Sequence, residues 1–234
     1  MTVTITSIAG GAPKPVFDRL GPLFERRTGN KLNALYDTMS GIAGRVAAHE
    51  AFDVLVMPVP LIEAYVKDGT VMAAGRAALA NIGLAVGVKA GGEIPDVSTP
   101  DKLRAALLAA RMLVHAPPTA TPSGAQSDKI IKEIGLEQAL AGRVVHRAGL
   151  AGGVTMIANG IDVIGIFPKS EIVAGPGVAL AGAPPPPLQL NITYGAGVVA
   201  ASSAQGAAAE FIKFLAEPEN RKVWTACGFD PPAI

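Results

Sequence analysis

The sequence predicts an α/β protein built on parallel strands, and two observations carry the prediction. Strand-like and helix-like segments alternate three times between residues 2 and 67. That order favours a parallel sheet with crossover helices. Several strand-like runs also break at a small, polar, Gly-bearing turn that then opens a helix. These turns are Gly10-Gly11-Ala12-Pro13, Thr38-Met39-Ser40-Gly41 and Thr121-Pro122-Ser123-Gly124, with Ala148-Gly149-Leu150-Ala151 as a weaker fourth. Each aims unpaired backbone N–H groups and the positive end of a helix dipole at whatever lies in front of it. Several converging on one place make a site for a small anion.

Each element follows from its own residues. Residues 2–7 alternate as a first strand. Residues 15–28 form a helix, with Val16, Phe17, Leu20, Leu23 and Phe24 at helical spacing and Gly29-Asn30 as the stop. Residues 31–36 read as a strand, 42–49 as a helix, 52–57 as a buried parallel-type strand, and 61–67 as a helix stopped by Asp68-Gly69. Residues 82–88 are a strand of small residues, 101–110 a helix opened by Ser98-Thr99-Pro100, and 112–115 a strand. A helix over 123–134 ends at Gly135, and a short strand follows at 144–145. Residues 154–159 are helical and 163–167 form a strand. The run Pro184-Pro185-Pro186-Pro187 joins no helix or central strand and reads as a polyproline connector. Residues 190–200 read as a strand or strand pair, followed by helices at 206–215 and 219–225.

The bulk numbers exclude several classes. With 234 residues the chain suits one large domain or two small lobes. A charged fraction of 17% against 50% hydrophobic residues argues against disorder, and a net charge of +1 argues against a nucleic-acid partner. A single cysteine, Cys227, allows no intrachain disulfide and no cysteine-based metal site. The three histidines show no zinc spacing, and no phosphate-binding Lys loop, dinucleotide fingerprint or nucleophile elbow appears. Neither a metal nor a cofactor is expected. No apolar run is long enough to insert in a membrane, and no secretory leader precedes Thr2-Val3-Thr4. The expected location is cytoplasmic if the sequence is native as given, and periplasmic if a leader has been removed.

The order of pieces then becomes informative. It runs from Phe24-Glu25-Arg26-Arg27-Thr28-Gly29 through Ser40-Gly41-Ile42-Ala43 and Phe52-Asp53-Val54-Leu55-Val56. It continues through Pro122-Ser123-Gly124-Ala125 and Ile164-Gly165-Ile166-Phe167 to Glu217-Pro218-Glu219 and Cys227-Gly228-Phe229. In that order the chain resembles the bacterial periplasmic-type (type II) solute-binding proteins, nearest to their molybdate-binding branch. The resemblance implies two α/β lobes with mainly parallel sheets, joined by two crossover strands with a ligand cleft between them. Lobe one would hold residues 1–80 and 190–234, and lobe two residues 81–189. It also implies a monomer that binds a small anionic solute and serves a membrane transporter.

The resemblance carries ligand positions onto Gly10, Gly11, Ala12, Met39, Ser40, Gly41, Thr121, Ser123, Gly124, Ala125, Gly149, Leu150, Pro168 and Lys169. Three of these depart from the molybdate pattern. The first-loop Ser falls on Ala12, an apolar Met39 enters the Ser-rich second loop, and a Tyr falls on Pro168. A tetrahedral oxyanion is thereby left short of donors, which favours a small organic carboxylate. Ser and Gly are also ordinary caps, so the turns alone do not decide. Lys14, Arg147 and Lys169 are the cations placed to meet a carboxylate. The rival expectation is an intracellular isomerase of a small unsaturated or keto carboxylate, a use of this scaffold that aconitate isomerase resembles. There His115 would be catalytic, moving a proton near neutral pH, or Lys169 would.

Overall fold

In the computed structural model, which describes residues 2–232, nine strands and nine helices follow one another along the described chain. They run β1 Thr4–Ala9, α1 Lys14–Thr28, β2 Lys31–Tyr36, α2 Met39–Ala47, β3 Val54–Pro58, α3 Val59–Lys67 and β4 Ala77–Lys89. Next come α4 Pro100–Ala109, β5 Met112–His115, α5 Pro122–Glu133, β6 Val144–His146 and a 3-10 turn at Gly149–Ala151. After these come α6 Gly153–Asn159, β7 Val163–Pro168, α7 Lys169–Ala174 and β8 Val178–Gly182. The chain closes with β9 Asn191–Val198, α8 Gln205–Ala216, a 3-10 turn at Pro218–Asn220 and α9 Arg221–Ala226.

The chain divides into two units. Unit 1 comprises the residues up to Ile82 and those from Ile192 onward; unit 2 is Gly83–Asn191. In unit 1, β1 pairs in parallel with both β2 and β3, and β3 pairs antiparallel with β9. The pleat sends alternate residues to opposite faces. Ile5, Ala9, Val54 and Val56 meet Phe17, Leu20 and Phe24 of α1 and Phe211 of α8. Ile8, Leu55 and Met57 turn the other way and meet Ile42 of α2 and Ile62 of α3. In unit 2, β5 pairs in parallel with β6 and β7, while β4 pairs antiparallel with β7 and β8. One face packs Leu84, Leu113 and Ile166 against Leu103, Leu107 and Ile130; the other packs Ala85, Val114 and Phe167 against Ile157 and Ile172.

The α/β class is as the sequence predicts, and the differences have local causes. Helix α2 opens at Met39, not residue 42, because Thr38 caps it by accepting the Gly41 N–H. Strand β4 begins five residues earlier than its run of small residues suggests. Residues 190–200 give the single strand β9. Helix α7 and strand β8 were not foreseen: six and five residues are too few to display a period. The proline run lies inside unit 2 and closes as a turn, with Leu188 N–H donating to Pro185 O at 2.8 Å, instead of an open polyproline stretch.

Candidate functional site

In unit 1 the loops that follow β1 and β2 leave neighbouring parallel strands at the same edge. The Gly10 N–H donates to Val56 O at 3.3 Å and the Asp37 N–H to Ala9 O at 3.1 Å, which ties the first loop to β3 and the second to β1. Gly10 is buried, and a Cβ there would come within 2.7 Å of Met39 Cε and 3.0 Å of Tyr194 Oη. The backbone, a thioether and a phenol therefore converge. Tyr194 arrives because β9 runs antiparallel and sets it opposite Pro58, at the carboxyl end of β3. Sequence reading missed it, since the signal is a non-local strand register.

The second loop spends part of its donor capacity on itself. Asp37 Oδ1 accepts the Thr38 N–H at 2.7 Å, and Thr38 Oγ1 accepts the Gly41 N–H at 3.1 Å and lies 3.2 Å from Ser40 Oγ. A Cβ at Gly41 would collide with the Asp37 carboxylate and force that side chain to move. The Ala12 and Met39 amides form no hydrogen bond among the described residues. Lys14 is committed to Asp18 at 2.6 Å and lies over the Tyr36 ring.

In unit 2, β5, β6 and β7 are parallel, so the segments that follow them leave one edge together. Thr121 repeats the arrangement of Thr38: its Oγ1 accepts the Gly124 N–H at 3.0 Å and lies 3.1 Å from Ser123 Oγ. Its carbonyl takes the Ala125 N–H at 3.0 Å. The Gly124 and Ala125 amides are thus satisfied within their own turn, and Gly124 is pressed on the Ala116 and Pro117 carbonyls. The Leu150 amide has no partner among the described residues, and Leu150 itself is exposed. Pro168 ends β7, is buried, and offers no N–H. Lys169, half-buried, opens α7 and forms no ion pair among the described residues.

His115 is fully buried. Its Nδ1 lies 2.8 Å from Ala116 O, its ring meets the His146 ring edge-on at 4.8 Å, and Nε2 has no partner among the described residues. Burial lowers its pKa, partly offset by the Ala116 carbonyl. It ends β5 and shares that strand's Leu113 face, which packs on α5. Two further side chains flank the Gly149–Ala151 turn. Glu171 in the first turn of α7 presses Oε2 on Gly149, and the Arg147 guanidinium lies beside Gly152. Neither is ion-paired among the described residues. Burial pushes the Glu171 carboxyl up to about 7. Glu171 lay in a segment that sequence reading gave no element, which is why it was overlooked.

A recess of about 490 Å³ lies elsewhere in unit 1, at the amino end of β3, and includes His49, Asp53, Thr70 and Ser202 among its walls. Asp53 already accepts from Thr6 N at 2.8 Å and Ser202 Oγ at 2.6 Å, so it joins strands and is not left for a ligand. No group of three or more His, Cys, Asp or Glu side chains suited to a metal occurs among the described residues. No helix there is long and apolar enough to cross a membrane.

Likeness to known proteins agrees with this fold. The periplasmic molybdate-binding protein of Azotobacter vinelandii superposes with a TM-score of 0.82 at 16% identity, covering 98% of this chain and 100% of that one. The sulfate-binding protein SubI of Mycobacterium tuberculosis H37Rv gives 0.77 at 22% identity, covering 98% and 87%. In sequence, an aconitate isomerase of Pseudomonas sp is 26% identical over 235 residues, 97% of this chain and 88% of that protein. Over residues 5–230 the chain matches the bacterial extracellular solute-binding proteins, and it belongs to that family.

Proposed function

We propose that this solute-binding protein takes a small organic carboxylate in preference to a metal oxyanion. The observation that carries the reading is the surroundings of Gly10. A tetrahedral oxyanion is best met by a dense shell of N–H and O–H donors. Here Met39 Cε and Tyr194 Oη lie against the Gly10 backbone, so an apolar atom occupies part of the first loop's surface. A carbon skeleton tolerates that contact, while a carboxylate has donors within either unit taken by itself: the unpaired Ala12 and Met39 amides and the Ser40 hydroxyl in unit 1, or the unpaired Leu150 amide, the Ser123 hydroxyl and the unpaired Arg147 or Lys169 in unit 2. The 26% likeness to an aconitate isomerase supports the same ligand class. Delivery to a membrane transporter is the corresponding role, with the chain acting as a monomer.

The test is a thermal-shift and calorimetry panel of molybdate, sulfate, citrate and cis- and trans-aconitate. A ligand held only by the folded chain raises the midpoint. The expected result is a rise with one or more carboxylates at concentrations where molybdate and sulfate give none. A strong rise with micromolar molybdate would reverse the ligand assignment.

The likeness to the isomerase also favours a second reading, in which the same loops hold an unsaturated carboxylate while a side chain moves a proton. The buried, low-pKa His115 suits that role less well than Lys169. Incubation of cis-aconitate with the protein in deuterium oxide separates the readings. Isomerisation or deuterium entry at carbon supports catalysis; binding with neither leaves the transport reading.

A further inference from the structure

We propose that Glu171 is a neutral carboxylic acid in the complex and donates a hydrogen bond from its O–H to the bound anion, so that one proton enters the protein with each anion at mildly alkaline pH. This inference rests on the anion-binding reading above and adds a residue and a proton to it.

The argument begins with position. Glu171 stands in the first turn of α7, directly after the carboxyl end of β7. Its Oε2 lies so close to Gly149 that a Cβ at that glycine would collide with it. The carboxyl therefore packs on the turn whose next residue, Leu150, has an unpartnered amide.

The second step is the absence of a counter-charge. Helix α7 packs on β7 and β8, its Ile172 reaches Gly87 of β4, and Gly175 at its end meets Val154 of α6. The sequences of β7, β8 and α6 are VIGIFP, VALAG and GVTMIAN, the 3-10 turn is GLA, and β4 is AALANIGLAVGVK. The one titratable side chain among them is Lys89, exposed at the far end of β4 from the β7 terminus. Two charged side chains remain nearby: Lys169 on the same helix, and Arg147 before the turn. Glu171 pairs with neither and forms no side-chain hydrogen bond among the described residues. A half-buried carboxylate without partners is costly, and the neutral acid avoids that cost. Burial alone pushes the group up to about 7.

The third step is linkage. An anion beside the turn repels an ionised Glu171 and raises its pKa further. The protonated form has an O–H donor where the carboxylate has only acceptors. The proton comes from solvent and bonds to a Glu171 oxygen; no covalent bond of the anion changes. Anion and proton then favour each other reciprocally. Above about pH 7 the affinity falls by up to tenfold per pH unit until the pKa of the complex is reached.

The experiment is calorimetry at pH 8 in buffers of different ionisation enthalpy. The probe is whichever of trans-aconitate, citrate, sulfate or molybdate binds tightest; all four are fully ionised at that pH. Wild-type protein is expected to take up close to one proton per anion. Glu171→Gln, which keeps the shape and a donor, is expected to bind with no uptake and with an affinity flat from about pH 7.5 to 9, where the probes stay fully ionised. Wild-type binding without uptake, or undiminished uptake in Glu171→Gln, overturns the inference and leaves anion binding intact. Failure of every probe to bind overturns both. Should Glu171→Gln not fold, the pH dependence of wild-type affinity decides, since a flat profile is incompatible with the proposal.

Discussion

The Glu171 carboxyl has a consequence for stability that needs no ligand. Its folded pKa is raised to about 7 by burial, from an ordinary value near 4.5. Between those values the native chain holds a proton that the unfolded chain has released. Folding is therefore favoured by acid in that window, and the contribution is lost as pH rises through 7. Glu171→Gln removes the titration. The variant is expected to match wild type at pH 4 and to exceed it at pH 8 by about 2 kcal/mol, after allowance for partial exposure. Urea unfolding at the two pH values measures this, and an equal difference at both would show that the carboxyl does not titrate in the window. At this scale the sequence was legible where chemistry is local and illegible where it is not. The turns 10–13, 38–41 and 121–124 could be seen because Gly, Ser and Thr announce themselves before a helix. Tyr194 and Glu171 could not, since one reaches Gly10 through the β3–β9 register and the other reaches Gly149 from a different loop.

Among elements, α2 and α5 begin in the same way: a threonine in extended conformation whose Oγ1 accepts the N–H three residues on. The two caps answer a question the sequence left open, because the same Ser/Thr/Gly pattern serves a cap and an anion loop equally. The threonine takes the third amide and leaves the first of α2, that of Met39, without a partner. Thr38→Ala and Thr121→Ala should each cost about 1 kcal/mol, a fall of roughly 2–4 °C in midpoint for a chain of this size. Affinity for the anion should change little, because the Gly41 and Gly124 amides are not the ones offered. A loss of anion affinity larger than the loss of stability, measured by calorimetry and thermal melts on the same samples, would mean that the threonines meet the ligand directly. Long elements such as α1 were readable from their apolar stripe, with Val16, Phe17, Leu20 and Phe24 buried as spaced and Leu23 alone of that stripe exposed. The elements missed, α7 and β8, are each shorter than two helical turns, so period gave no signal.

For the whole molecule, the decisive feature is that the apolar cores do not mix. Every buried residue of the two cores around α1 and α2 belongs to unit 1, and every one around α5 and α6 belongs to unit 2. The ends of unit 2 are also pinned to each other. Gln189 accepts the Leu84 N–H at 2.8 Å and returns its own amide N–H to Leu84 O at 3.0 Å, so β4 and the closing segment of residues 83–191 are held by one side chain. Unit 1 is pinned separately, by Thr193 Oγ1 donating to Asn81 Oδ1 at 2.6 Å and by Asn81 and Asp230 exchanging backbone bonds of 2.8 Å. A contiguous segment with its own core and closed ends meets the requirements of a folding unit. Residues 83–191 expressed alone should therefore unfold in one cooperative transition, with dispersed amide resonances. Gln189→Ala in that fragment should lower its midpoint by loosening the ends, leaving Leu84 with unpaired backbone groups at about 1–3 kcal/mol. Unit 1 needs two stretches of chain, so residues 1–82 alone should stay unfolded, lacking β9, α8 and the Phe211 and Trp224 side chains that complete its core. A molten 83–191 fragment, or a folded 1–82 fragment, would show that the apparent separation of cores does not govern how this chain folds.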